Sequence, residues 1–149
     1  MNKDIDGLLE KINLLSTKTV HQWGTMTPQK MVEHLMNAFK VSSGKIEVKC
    51  YTPEEKLSVM KKFLMSDRPM PKGFNSPANE LAPEGYQFQT LEIAKSNLLK
   101  EVADYYKFFE ENPEAKLINP TFGELNKKEW EQFHKKHLTH HLTQFGLLP

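Results

Sequence analysis

The sequence predicts an all-α fold, a four-helix bundle with a short extra helix and a long loop between the second and third main helices. Apolar residues recur at helical spacing in four long stretches and in one short stretch. Capping residues or prolines stand where most of these stretches begin. No stretch has a convincing strand pattern. The 149 residues amount to about one domain, so we expect a single helical-bundle domain over residues 1–149.

The first two predicted helices each have one apolar stripe. In the first, from about residue 4 to residue 16, the stripe consists of Ile5, Leu8, Leu9, Ile12 and Leu15. The second begins at Thr27-Pro28, because threonine is a good N-cap and proline suits the first helical position. Its inward positions are Met31, His34, Leu35, Ala38, Phe39 and Val41. The glycine of Ser42-Ser43-Gly44 ends it.

A short extra helix is predicted after Thr52, reaching about residue 66. Thr52 is the expected N-cap, Pro53 the first helical residue, and Glu55 completes a capping box. The preceding residues 44–51 alternate between apolar and charged side chains. A single strand would have no partner there, so we predict a loop.

Prolines and glycines exclude regular structure from residues 67–89, which exceed the usual connection length of about four to six residues. Five apolar residues could anchor this loop over the domain as a lid or pocket wall: Met70, Phe74, Leu81, Tyr86 and Phe88. We therefore predict a packed loop.

Two further helices complete the bundle. The longest opens at Thr90 and ends near Asn112, before a proline. The last starts after Asn126, where Glu129 three residues later gives a capping box, and it runs to Gly146. Residues 117–125 between them are predicted to be a linker.

The composition excludes several classes of protein. A formal net charge of +1 gives no electrostatic footprint for nucleic acid and no polybasic membrane anchor. No apolar run approaches the roughly 20 residues that span a bilayer, and the amino-terminal residues lack the apolar core of a signal peptide. Cys50 is the single cysteine, which fits a reducing compartment. We expect a cytoplasmic protein.

Four of the six histidines fall within eight positions of the last helix. His137 and His141 are one helical turn apart and share a face with Trp130 and Phe133, so they point into the core. His34 lies on the inward stripe of the second helix. Three neutral imidazoles could thus meet in the bundle core and bind a metal, leaving coordination positions open as in catalytic sites. Nickel, zinc, iron and copper all accept such ligands.

The same histidines have an alternative interpretation as metal-free core residues whose nitrogens are hydrogen-bonded. His140 is turned about 100° around the helix from His141, so we expect it to be a packing residue or to support a metal ligand. His134 could line the mouth of a pocket, and His21 has no assigned role. Each ligand should donate its other N–H to an acceptor. The candidate acceptors are Glu101, Asp104, Glu124 and Gln144.

Two motifs resemble the DinB/YfiT-like superfamily of metal-binding four-helix bundles. They are Met26-Thr27-Pro28-Gln29-Lys30-Met31-Val32-Glu33-His34-Leu35 and His137-Leu138-Thr139-His140-His141-Leu142-Thr143-Gln144. The stretch from Asn119 to Leu125 is similar to that of an uncharacterised branch. The resemblance covers nearly the whole chain. It implies a bundle that is often dimeric, with His34, His137 and His141 holding a divalent ion such as Ni or Zn, while Fe is a further option.

The resemblance also implies candidate activities, since some members of the superfamily are transferases or isomerases that use low-molecular-weight thiols such as bacillithiol or mycothiol. Our first hypothesis is a metal-dependent S-transferase or hydrolase that activates a thiol or a water, with a small-molecule substrate under the 67–89 loop. The alternative is a non-catalytic bundle that binds a small ligand or forms a homodimer. In that case Tyr105, Tyr106 and Phe108 could line the ligand pocket. No catalytic residue is assigned.

Overall fold

The computed structural model describes residues 1–74 and 85–149 and is mostly helical. The α-helices are α1 (Lys3–Glu10), α2 (Pro28–Ser42), α3 (Leu57–Met65), α4 (Leu91–Glu111) and α5 (Lys127–Gln144). Short 3₁₀ helices follow α1 (Lys11–Leu14) and precede α3 (Glu54–Lys56). Two short strands lie between α4 and α5, β1 (Leu117–Asn119) and β2 (Gly123–Leu125).

The two strands contradict the prediction that residues 117–125 form a strand-free linker. They pair antiparallel, with Leu117 opposite Leu125. The side-chain oxygen of Asn119 accepts hydrogen bonds from the backbone N–H groups of Thr121 and Phe122, at 2.9 and 3.1 Å. Gly123 follows with a positive φ of 80°, which favours glycine. Strands of three residues are too short to show an apolar alternation, so the turn chemistry was the only available signal.

The predicted starts of three helices are confirmed. Thr27 and Thr90 accept hydrogen bonds from backbone N–H groups three residues later, at 3.2 and 3.1 Å. Asn126 and Glu129 form the predicted capping box, with both hydrogen bonds at 2.9 Å. Each cap satisfies backbone donors that the first helical turn leaves unpaired.

Two predicted boundaries differ from the structure. The hydroxyl of Thr52 donates to the carbonyl oxygen of Thr121 at 2.6 Å, so it does not cap the short helix. That helix therefore begins with an uncapped 3₁₀ turn. The first helix was predicted to continue to residue 16, but its α-helical part ends at Glu10 and a 3₁₀ turn carries the chain further.

The core lies between the helices. α2 packs along α4 and against α5, while α1 and α3 both pack against α5. The hydroxyl of Tyr106 joins α4 to α1 by donating to a carboxylate oxygen of Asp6 at 2.7 Å. Tyr105 is 1 % exposed and packs against the rings of Phe39 and Phe109, so it is a core residue rather than the wall of a ligand pocket.

The predicted 67–89 loop is only partly within the described residues, because 75–84, including Leu81, lie outside them. Of the other expected anchors, Met70 is buried and Phe88 is half-buried, whereas Phe74 and Tyr86 are exposed. Beyond residue 84, the carboxylate of Glu33 on α2 accepts hydrogen bonds from the backbone N–H groups of Gln87 and Phe88, at 2.9 and 3.3 Å. Among the described residues, no helix is both long enough and apolar enough to cross a membrane.

Candidate metal centre

Three imidazole nitrogens converge between α2 and α5. The Nε2 atom of His137 lies 2.9 Å from that of His34 and 3.2 Å from that of His141. The candidate ligand atoms of the three residues all lie within 4.8 Å of one another. The structure therefore brings together the three histidines that the sequence singled out, close enough to hold a metal ion.

The two helices contribute unequally to this cluster. His137 and His141 lie one turn apart on α5, with their rings edge to face and the centroids 4.7 Å apart, and they are only 8 % and 7 % exposed. His34 comes from α2, with its ring 4.8 and 4.9 Å from theirs, and it is partly exposed. The side of the cluster nearest to solvent is thus the α2 side.

A hydrogen-bond chain fixes the tautomer of His141. The side-chain amide of Gln144 donates to the carbonyl oxygen of Trp23 at 3.1 Å, so its oxygen is the acceptor for Nδ1 of His141 at 2.8 Å. His141 consequently carries its hydrogen on Nδ1, and its Nε2 presents a lone pair to the centre of the cluster. This is the supporting hydrogen bond expected of a metal-binding histidine.

The sequence suggested four possible acceptors for the ligand N–H groups. Of these, only Gln144 is hydrogen-bonded to one of the three histidines among the described residues. Glu101 and Asp104 instead pair with Lys45, at 2.8 and 2.5 Å. Glu124 is exposed on β2. The Trp23 carbonyl that orients Gln144 was not predicted, because a backbone acceptor leaves no signal in the sequence.

The hydrogen bonds of His137 remain incomplete among the described residues. Its Nδ1 is buried and has no partner there, while its Nε2 faces two other ring nitrogens. A hydrogen on Nε2 can serve only one of these neighbours well, and a hydrogen on Nδ1 would leave lone pairs facing one another. An electron-pair acceptor at the centre would satisfy all three Nε2 atoms, so the donor set fits a metal cation.

Burial keeps these imidazoles neutral. Desolvation, with a smaller contribution from neighbouring histidines, lowers the pKa of His34 to about 4 and that of His141 to about 3. The same causes hold the pKa of His137 well below its usual range. The lone pairs are therefore available to a metal at neutral pH, since only the neutral imidazole coordinates.

His134 does not line a pocket mouth, contrary to expectation. It is 1 % exposed and stacks on Phe39, with ring centroids 3.8 Å apart. The hydroxyl of Ser42 donates to the carbonyl of Phe39 at 3.0 Å and accepts from Nε2 of His134 at 2.8 Å. His134 is thus a hydrogen-bonded core histidine.

The two remaining histidines are not among the three whose ring nitrogens converge, although the ring of His140 contacts that of His141 with centroids 5.0 Å apart. His140 packs the edge of its ring against Trp23, with centroids 5.7 Å apart, in agreement with its predicted packing role. His21 contacts Phe145 in a similar way, at 6.2 Å.

Comparison with known proteins identifies one family. A family model described as a protein of unknown function (DUF1569) matches residues 2–146. Neither the curated proteins nor the solved structures gave a match. Because the family model covers nearly the whole sequence, including all three clustered histidines, this chain belongs to the DUF1569 family.

Proposed function

We propose that the chain is a divalent-metal-binding protein whose ligands are His34, His137 and His141. The observation that carries this proposal is the convergence of three neutral imidazole nitrogens from two helices. Imidazole ligands favour nickel, zinc or iron over magnesium or calcium, which prefer oxygen. The oriented Nδ1 of His141 gives further support.

We further propose that α1, α2, α4 and α5 form a DinB-like four-helix bundle, with α3 as the extra helix. The packing of α2 on α4, and of α1 and α2 on α5, supports it. The ties between α1 and α4 add to this, since Tyr106 bonds Asp6 and Lys95 donates to the carbonyl of Leu15 at 2.6 Å.

The activity that suits this site best is hydrolysis or S-transfer with a water or a low-molecular-weight thiol as nucleophile. A divalent ion held by three histidines would supply Lewis acidity that lowers the pKa of such a nucleophile. The chain contributes orientation, because Gln144 fixes the ring of His141. Partial exposure of His34 gives a small molecule a route to the cluster, while burial of His137 and His141 keeps water from the rest of it.

Metal analysis of the untagged protein tests the metal proposal directly. We expect about one Ni, Zn or Fe ion per chain, as in other three-histidine sites, and loss of that ion in His34→Ala and in His137→Ala. His21→Ala is the matched control and should keep the ion, because His21 lies away from the cluster. Circular dichroism would verify that the variants remain folded.

Two results would contradict the proposal. One is an ion that survives in both ligand variants, and the other is wild-type protein that cannot be loaded with any of the three metals. The second result would favour the alternative in which the histidines have structural roles in a ligand-binding or dimerising bundle. Metal-loaded wild type and His137→Ala can then be compared for thiol transfer and hydrolysis.

Replacing Gln144 by leucine should weaken metal binding without removing a ligand. The change deletes the acceptor of the His141 Nδ1–H, so we expect an affinity about 10- to 100-fold lower in a calorimetric zinc titration. Gln144→Glu keeps an oxygen toward His141 and should lose less. Equal affinities for Gln144→Leu and wild type would show that this hydrogen bond does not support the site.

A further inference from the structure

A cleft of about 580 Å³ lies beside α5, and one of its lining residues, His140, contacts the ring of the clustered His141 at 5.0 Å. Its lining includes Thr139, His140 and Thr143 of α5, residues 66–72 and Trp23. The volume is in the range of small-molecule sites, about 300 to 1,000 Å³. Nothing in the proposed metal chemistry uses this cleft.

The cleft concentrates positive charge. Arg68, Lys72, Lys135 and Lys136 line it, against one carboxylate, that of Asp67. The whole chain carries a net charge of only +1, so this local excess is not a consequence of a basic composition. Cations that surround a concave, partly apolar space raise the local concentration of small anions.

Two of the four cations are held in place. Lys136 donates to the backbone carbonyls of Ser66, at 3.0 Å, and of Arg68, and thereby fixes the 66–68 segment against α5. Lys135 lies 3.3 Å from a carboxylate oxygen of Asp4, which is itself largely exposed. Specific contacts therefore position these two of the four cations.

An aromatic surface stands beside the charges. The half-buried Trp23 ring lines the cleft, with the ammonium of Lys72 over it at 4.9 Å and the edge of His140 on it at 5.7 Å. Met70 is buried and adds apolar lining. Indole faces bind flat rings by stacking, and the adjacent ammonium suits an anionic group on the same ligand.

We propose that this cleft binds a small aromatic anion, such as an aryl phosphate or an aryl carboxylate. Its ring would lie against Trp23 and its charge near Lys72 and Arg68. The proposal does not rest on the metal site, although Trp23 belongs to both regions, since its carbonyl orients Gln144.

Phenyl phosphate is a suitable probe, followed by two-dimensional ¹⁵N–¹H NMR of the wild-type protein. The chain has two tryptophans, so two indole N–H signals are expected, and Trp23→Phe assigns them. The Trp23 signal should shift in a saturable way with a Kd on the order of 1 mM or tighter, while that of the buried Trp130 should move little. Phenol has the aromatic ring without the phosphate, and inorganic phosphate has the charge without the ring. Each should bind at least about tenfold more weakly than phenyl phosphate.

Three variants separate this cleft from other sites. Lys72→Gln should weaken phenyl phosphate binding about tenfold, whereas Lys107→Gln, an exposed control on α4, should leave it unchanged. His137→Ala should also bind phenyl phosphate normally, because the cleft does not need the metal. If the phosphate instead bound to a metal at the histidine cluster, this variant would lose binding. The proposal is overturned by no saturable shift, by equal binding of inorganic phosphate, or by binding that depends on His137 and not on Lys72.

Discussion

Saturating nickel or zinc should raise the free energy of unfolding of the wild-type protein by about 2.7 kcal/mol when free metal is 100 times its Kd. The stabilisation follows from linkage, because α2 and α5 must be folded together to bring His34 to His137 and His141. An unfolded chain does not hold three imidazoles in this arrangement and binds the ion more weakly. Urea titrations of metal-free and metal-loaded protein measure the difference.

The ligand variants provide the control for this linkage. His137→Ala should unfold at the same urea concentration with and without metal, while His21→Ala should respond as wild type does. A chelator should reverse the effect in wild type. Equal stabilisation of wild type and His137→Ala would mean that the metal binds elsewhere on the folded protein.

Removing the ring of Phe39 should cost the protein about 3 to 5 kcal/mol of stability. Phe39 is 1 % exposed, stacks on His134 with centroids 3.8 Å apart, and contacts the edge of Tyr105. Phe39→Ala would leave a cavity between α2, α4 and α5 and would expose the buried imidazole of His134 to it. Urea unfolding monitored by circular dichroism at 222 nm gives the loss in free energy.

Phe74→Ala is the matched control, since Phe74 is 39 % exposed and should cost much less. Phe39→Leu keeps most of the volume and should fall between them. A loss below about 1 kcal/mol for Phe39→Ala would contradict a close-packed core at this position. Zinc affinity should change little in a folded Phe39→Leu, because His134 is not among the clustered ring nitrogens.

Local sequence signals were sufficient for most of the helices. Thr27, Thr90 and Asn126 cap helices where predicted, because each cap is a contact between neighbouring residues. Thr52 has the same local pattern and does not cap, because its hydroxyl binds Thr121, 69 residues away. The strands β1 and β2 were missed for a related reason, since three residues each carry no periodic signal.

The sequence by itself determined that histidines face inward from two helices, because the one-turn spacing of His137 and His141 and the inward position of His34 are consequences of helical geometry. His134 shares the same face of α5, and no local feature separates it from them. Only the tertiary structure decided between these roles. α2 and α5 run antiparallel, so His137 and His141 meet His34, whereas His134 meets Phe39 and Ser42 and becomes part of the core.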